Sequence, residues 1–490
     1  MMPVELENLI DHVQALRAET QTLELKAAAQ GCPTRLYDTL SSFSNQDEGG
    51  TILFGVDEQN GFTPVGVYDA QDLMKHVTEQ CGQMTPVIRP VFTTLLKDGK
   101  AFVSAEIPGI DVADRPCFYA GKGRLKGSYV RAGDADQPMT EYEIYSYEAF
   151  RRKYQDDIRP VEQAGWSTLN KDSLELYLSK LKAGRPNLSK LKTEEICELV
   201  GLTREGIPTL AAVLLFSLFS QGYFPQLCVT AISVPGTEVG QLGPEGERFL
   251  DNRRIEGTLT EMLEDALAFV RKNIKIKTII DTETGKRADR EDYPLTAVRE
   301  AVLNALIHRD YSLHTEGMPI QILLFEDRLE IKSPGGLYGR LRLDQLGKVQ
   351  PDTRNPVLAV AMEVLGETEN RYSGIPTMRR ELAQAGLPEP EFRDERGTFV
   401  VCFQKAIETP RLKNIEPFTD WNASTPEKEL LRFCTVPRSR QEIAKFLGIK
   451  SVPYAVTTYV TPLVEKGLLT LSMPEKPRSP KQRYTAIPLQ

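Results

Sequence analysis

Thr20-Gln-Thr-Leu-Glu-Leu-Lys26 is where the chain changes period. Before it, Leu6, Leu9, Ile10, Val13 and Leu16 recur on one helical face, so residues 3–18 read as an amphipathic helix. Within it the period falls to two. Leu23 and Leu25 point one way and Thr22, Glu24 and Lys26 the other, which is a strand. Further out, residues 34–44 read as a short helix with Leu36, Leu40 and Phe43 inward. The turn Asn45-Gln-Asp-Glu-Gly-Gly50 leads into a continuously apolar strand, Thr51-Ile-Leu-Phe-Gly-Val56, which ends in Asp57. A helix over 70–84, strands over 88–96, 101–107 and 127–132, and a helix at about 140–155 follow. The fold class is α+β.

Glu19, Glu24 and Asp57 are the chemical content of this segment. Side-by-side pairing of the two strands would bring these carboxylates to one rim of a sheet. Three carboxylates with a lysine nearby suit Mg²⁺ or Mn²⁺, hard ions that take oxygen ligands and keep positions for water and substrate phosphate. Such a metal would activate water against a phosphodiester. Lys26 would hold a phosphate or steady developing charge. The alternative is that Glu24 and Lys26 form a same-face surface ion pair worth under about 1 kcal/mol. Later in the segment Lys122, Arg124, Lys126 and Arg131 alternate with glycines and Tyr129. They read as a nucleic-acid contact or as a solvated basic hairpin.

The whole chain has 490 residues, more than one core accommodates, so several domains are expected. It is 41% hydrophobic and 26% charged, which excludes global disorder. The net charge of −8 means that any nucleic-acid surface must be local. Seven widely spaced cysteines without a CxxC pair suit a reducing cytosol, and a zinc site is not expected. No signal peptide or membrane span is read, and a cytoplasmic location is expected.

Several ordered motifs together resemble the Schlafen-type AlbA_2 family. They are Glu19-x4-Glu24-Leu-Lys26, Ser42-Phe-Ser-Asn45, Gly49-Gly-Thr-Ile-Leu-Phe-Gly-Val-Asp57, Arg115-Pro-Cys-Phe-Tyr and Gly127-Ser-Tyr-Val-Arg-Ala-Gly133. The resemblance covers about residues 15–150. It implies an endoribonuclease acting on transfer or ribosomal RNA with Glu19, Glu24 and Asp57 as its acidic residues, or, as in prokaryotic members, a DNA-binding transcriptional regulator. The animal enzymes build a cleft from two lobes. One lobe here implies a homo-oligomer, at least a dimer.

Residues 159–275 read as mainly helical, with a strand-like stretch at Leu227–Ser233. Beyond them, Arg299-Glu300-Ala-Val-Leu-Asn304 places Glu300 and Asn304 at i,i+4 on one helical face, with His308 a turn further on. This spacing resembles the N-box of GHKL-type ATPases. Asp327-Arg-Leu-Glu-Ile-Lys-Ser-Pro-Gly-Gly336, Arg354-Asn-Pro356 and Arg371-Tyr-Ser-Gly-Ile375 extend the resemblance to the ATPase-like domain that accompanies AlbA_2 in prokaryotes. It implies an α/β sandwich binding ATP through Glu300, Asn304, Gly335, Gly336, Ser373 and Gly374. Two positions depart from the generic pattern. Ser333 stands where an aspartate reads adenine, and Tyr372 stands where a phosphate-loop glycine is expected.

At the C-terminus, Ser439 and Glu442 form a capping box before Gly448, and Ser451–Lys466 is the candidate recognition helix of a winged helix-turn-helix. Residues 425–490 hold 11 Lys and Arg against 5 Asp and Glu. That local excess is an electrostatic footprint for nucleic acid, with Arg440 and Lys450 as candidate contacts. Pro453 and Pro462 interrupt the helix pattern.

The expected domains are therefore 1–157, AlbA_2-like; 158–280, mainly helical; 281–406, GHKL-like; and 425–490, winged helix. Three functions stay open: a metal-dependent endoribonuclease on structured, tRNA-like RNA in bacterial antiphage defence, a non-catalytic DNA-binding regulator, and an ATP-dependent oligomeric switch.

Overall fold

Helix α1 (Pro3–Leu16) buries Leu6, Ile10 and Val13 against one face of the first sheet. The structure, a computed structural model, describes residues 1–280, 287–368, 373–405, 425–449, 451–473, 479 and 482–486. The chain forms two compact units, Met1–Ala406 and Ile407–Gln490.

In the first unit, β1 (Leu23–Lys26), α2 (Tyr37–Ser44) and β2 (Gly50–Phe54) make a parallel crossover, with Leu23 opposite Thr51 and Lys26 opposite Phe54. A helix is the usual way to return a chain to a parallel neighbour. After α3 (Ala70–Gly82), the hairpin β3 (Val91–Lys97) and β4 (Lys100–Ile107) completes the order β1-β2-β4-β3. Leu23, Leu25, Leu53 and Val56 pack under α1. Ile52, Phe54, Val103 and Ala105 pack on the opposite face against Leu36, Leu40, Phe43, Leu73 and Val77. The pairing therefore sends Glu24 and Lys26 to the α2 side of an edge strand. A second hairpin, β5 (Tyr129–Ala132) and β6 (Ala135–Pro138), lies against α2 and precedes α4 (Glu141–Arg152). Lys122, Arg124 and Lys126 do not sit on a hairpin: Gly123–Gly127 is one helical turn.

Beyond α4, α5 (Lys171–Gly184) and the fully buried α6 (Leu210–Phe216) lead to a six-stranded sheet. Its strands are β7 (Val229–Ser233), β8 (Asp251–Ile255), β9 (Ile320–Leu324), β10 (Arg328–Pro334), β11 (Glu391–Asp394) and β12 (Thr398–Gln404). The order is β8-β7-β9-β10-β12-β11, with β7 and β9 parallel and the other neighbours antiparallel. Helices α7 (Leu259–Asn273), α8 (Leu295–His308), α9 (Pro356–Leu365) and α10 (Gly374–Gln384) share one continuous core with this sheet, running from Val161 to Phe403. The expected boundary between 280 and 281 does not divide the molecule, because β7 lies beside β9 and both bury their alternate residues in the same core. β8 was not anticipated. Its Asp-Asn-Arg-Arg run carries little apolar signal, since it is an edge strand with exposed residues.

In the second unit, α11 (Thr425–Phe433), α12 (Arg440–Phe446) and a third helix surround Leu430, Ile443, Val460, Leu463 and Leu469. A three-stranded sheet of Arg438–Ser439, Arg483–Ala486 and Leu469–Leu471, in that order, closes the core. The third helix is α-helical over Val452–Ala455 and Thr461–Glu465 and π-helical over Val456–Val460. The Thr461 N–H reaches back to the Val456 carbonyl, just ahead of Pro462. A proline lacks the N–H that would satisfy the carbonyl four residues back, and the wider turn is where the strain goes.

Candidate functional site

The acidic constellation assembles in part, around a residue expected to do something else. Arg131 on β5 is 1% exposed. Its guanidinium lies 2.8 Å from Glu24 Oε2, 2.9 Å from Asp136 Oδ1 and 3.8 Å from Glu19 Oε2, and it stacks over the Phe43 ring. Arg131 thus cannot track a phosphate backbone from the surface; it is the buried cation that three carboxylates require. Asp136, its cross-strand neighbour, also accepts bonds from Thr39 Oγ1 at 2.7 Å and Ser42 Oγ at 2.5 Å on α2. Asp136 had no sequence signal of its own. It becomes visible only once the β5–β6 register sets it opposite Arg131.

Lys26 is ion-paired with Glu24. Glu19 accepts a 2.7 Å bond from the Leu25 N–H, and its carboxyl is pushed up to about 7. Burial is the largest cause; the Leu25 N–H opposes it, and the charges of Glu24 and Glu58 add to it. The neutral acid is therefore the form the fold prefers. That stabilisation is complete below the unfolded value of 4.5 and is lost as pH rises through about 7. Glu19→Gln should give a flatter stability curve between those two pH values than the wild type, read by urea denaturation across pH. An unchanged slope would show that Glu19 is not the titrating group.

Asp57 does not join Glu19 and Glu24. The expected unbroken strand kinks at Gly55, whose φ of +104° and contact with the Phe102 ring leave no room for a Cβ. Val56 turns back into the α1-side core, and Asp57 is taken up by its own turn. It accepts from the Gln59 N–H at 3.1 Å and from Asn60 Nδ2 at 2.6 Å. Among the described residues no group of three His, Cys, Asp or Glu is placed to hold a metal ion. The expected Mg²⁺ or Mn²⁺ ligand set therefore does not fit: the Arg131 guanidinium already stands between two of the carboxylates.

Of the remaining basic residues, Lys122 is 4.0 Å from Asp38 and lies over the Tyr129 ring, and Arg124 is 3.6 Å from Glu148. Lys126 is exposed on the same helical turn. Tyr37 and Tyr119 stack at 3.8 Å close by, with Tyr119 leading into that turn. In the second unit, Arg440 donates to the Tyr484 hydroxyl at 3.3 Å, and Lys450 lies outside the described residues. The capping box forms: Glu442 N–H donates to Ser439 Oγ at 3.3 Å, and Ser439 N–H to Glu442 at 2.8 Å. The third helix exposes Tyr454, Thr457, Thr458 and Thr461.

A second site lies between α8, β10 and α10. Glu300, Asn304, Gly335, Gly336, Ser373 and Gly374 all line one cleft of about 180 Å³, together with His308, Ser333, Asp352 and Arg354. That is room for a small molecule rather than for one or two waters. Arg371 and Tyr372 fall outside the described residues. Gly374 opens α10 directly against α8, where a Cβ would come within 2.9 Å of Glu300 Oε2 and 3.1 Å of Asn304 Nδ2. Gly335, at φ +100°, lets Arg354 pass; a Cβ there would stand 2.2 Å from Arg354 Nη1. Ser333 donates to the Ala305 carbonyl at 3.2 Å. His308 is exposed to the cleft, but the surrounding protein and then the charge of Arg354 push its pKa down to about 4, so it is neutral at pH 7. Sequence reasoning missed Arg354 as a cleft residue: it is 6% exposed, donates to the Gly336 carbonyl at 3.3 Å and sits over the Tyr338 ring.

All seven cysteines are free thiols, and among the described residues no helix is long and apolar enough to cross a membrane. Three family models match the chain. Residues 19–140 match "Schlafen, AlbA_2". Residues 317–403 match HATPase_c_4, described as "Putative ATP-dependent DNA helicase recG C-terminal". Residues 428–486 match the C-terminal domain of the Fic-like "Filamentation induced by cAMP protein". No curated protein matches. Among solved structures, the DIP2311 protein from Corynebacterium diphtheriae is 19% identical over 82% of this chain and 80% of that one, with a TM-score of 0.39. The N-terminal domain of a "Putative ATP-dependent DNA Helicase RecG-related Protein" from Nitrosomonas europaea is 26% identical over 28% of this chain and 93% of that one, with a TM-score of 0.23. The chain carries a Schlafen AlbA_2 domain at residues 19–140, joined to a recG-like HATPase_c_4 C-terminal domain at residues 317–403.

Proposed function

We propose that this protein binds nucleic acid under the control of an adenine nucleotide held in the cleft between α8 and α10. A nucleic-acid-related role follows from the AlbA_2 and recG-like matches. The observation that carries the nucleotide reading is convergence. Six residues named from three separate segments, 300–304, 335–336 and 373–374, line a single cleft. Its chemistry suits the ligand. Ser373 makes no side-chain cap bond to α10, so the first N–H groups of that helix remain suited to phosphate oxygens. Gly374 keeps the approach to them narrow but clear. Asn304 stands one turn from Glu300 on the opposing helix and would hold a phosphate or its counter-ion. Nucleic acid would meet the basic and aromatic surface of Lys122, Arg124, Lys126, Tyr37 and Tyr119, and the second unit as a winged helix through Arg440 and its basic strands.

Calorimetric titration tests the cleft. Wild-type protein should bind ATP, and Asn304→Ala should weaken binding about tenfold, the loss of one to two hydrogen bonds to a charged group. No binding by the wild type would remove this reading. Cleavage of structured RNA is the second reading, favoured by the Glu19–Glu24 carboxylate pair and the raised pKa of Glu19. It expects scission of transfer RNA that Glu24→Ala abolishes; intact RNA after long incubation would end it.

A further inference from the structure

The segment Gly335–Arg342 has two working faces. On one, Gly335, Gly336, Leu337, Tyr338 and Leu341 line the cleft. On the other, the same few residues hold the N-terminal lobe. Tyr338 meets the Phe150 ring of α4 edge-on at 5.5 Å. Arg340 lies over Phe150 and makes bonds of 3.1 and 3.2 Å to Asp111. Arg342 is 3.9 Å from Asp47, which in turn holds the nearly buried Arg115 at 2.6 Å. Behind the segment, the Gly335 N–H donates to the Gly397 carbonyl at 2.8 Å. A Cβ at Gly397 would come within 2.9 Å of the Tyr142 ring, and the Tyr142 hydroxyl donates to Asp310 at 2.7 Å. Next to Gly397, Arg396 bonds Glu143 at 2.8 and 2.9 Å and Gln137 at 2.9 Å. Gln137 adjoins Asp136, the residue that fixes Arg131 between the carboxylates.

We propose that occupancy of the cleft is transmitted to the AlbA_2 lobe through Gly335–Arg342, so that ligand binding in the cleft and nucleic-acid binding on the lobe are thermodynamically coupled. The proposal rests on the nucleotide reading of the cleft. A ligand seated against Gly335, Gly336 and Tyr338 acts on a segment with few internal restraints and three glycines. Any shift or ordering of it changes the Tyr338–Phe150, Arg340–Asp111 and Arg342–Asp47 contacts, because the same backbone carries both sets. A ligand moves an equilibrium by as much as it distinguishes the two arrangements, and linkage makes the effect reciprocal.

Hydrogen exchange of the full chain with and without saturating ATP tests it. Residues 135–152, covering β6 and α4, should exchange about fivefold or more slowly with ATP, within the usual span of allosteric coupling. Arg340→Ala combined with Arg342→Ala leaves every cleft-lining residue in place. It should bind ATP within about twofold of wild type yet lose the change at 135–152. Asp111→Ala, which removes the partner from the lobe side, should behave in the same direction. If ATP binds and 135–152 exchange unchanged, or if the double variant keeps the wild-type response, the coupling is overturned while the nucleotide reading stands. Failure of the wild type to bind ATP overturns both.

Discussion

Arg131→Ala should destabilise the AlbA_2 lobe by about 3–5 kcal/mol, the cost of leaving buried charges without their partner. Glu24 and Asp136 lose a charge-assisted bond each, and Glu19 loses the guanidinium that lies 3.8 Å away. The Phe43 ring loses the guanidinium that covers it. A domain is stable by only about 5–15 kcal/mol, so this loss reaches the scale of the whole. Hydrogen exchange across residues 19–140 reads it directly, since both tryptophans lie outside that segment. Arg131→Lys should recover little, because a point charge cannot serve three carboxylates with a planar fork. The opposite role makes an opposite forecast. Were Arg131 a phosphate contact, its alanine variant would fold normally and lose salt-dependent affinity for nucleic acid. A stability change under about 1 kcal/mol would sink the buried-cation account.

Gly335→Ala should close the cleft to its ligand, with a loss of affinity of tenfold or more, and lower stability by about 2–5 kcal/mol. The backbone there sits at φ +100°, a conformation that L side chains rarely adopt and that costs on the order of 1–3 kcal/mol to impose. The added methyl also has nowhere to go. It would lie 2.2 Å from Arg354 Nη1, 2.7 Å from the Asp310 Cβ and 2.9 Å from the Asp310 amide. The guanidinium can move, but the Asp310 backbone is held by a 2.8 Å bond from its N–H to the Pro334 carbonyl. Overpacking of this kind typically costs about 1–3 kcal/mol. Thermal denaturation and ATP titration measure the two effects separately. Wild-type stability and affinity in the variant would mean that the close approach at Gly335 carries no weight.

Periodicity was enough for most elements. Leu23 and Leu25 against Glu24 and Lys26 identify β1, and the Glu300–Asn304 spacing identifies α8 and the face it presents. Glycine pairs, the Ser439–Glu442 capping box and the Arg354-Asn-Pro356 motif mark places where backbone geometry is constrained by a few local bonds. Edge strand β8 escaped, because an exposed edge needs no apolar alternation. Asp136 escaped because its partner lies across a hairpin register, and register depends on the turn rather than on the residue.

By itself, then, the sequence determined the α+β class, the strand phase that separates Glu24 and Lys26 from the core, and the residues that converge on the cleft. These depend on local period and on short motifs. Only the tertiary structure decided the fate of the carboxylates. The kink at Gly55 takes Asp57 away from them, and the β5–β6 hairpin delivers Arg131 in its place. Burial of like charges demands a counter-charge, and which residue supplies it depends on chain segments about a hundred residues apart meeting at one sheet edge.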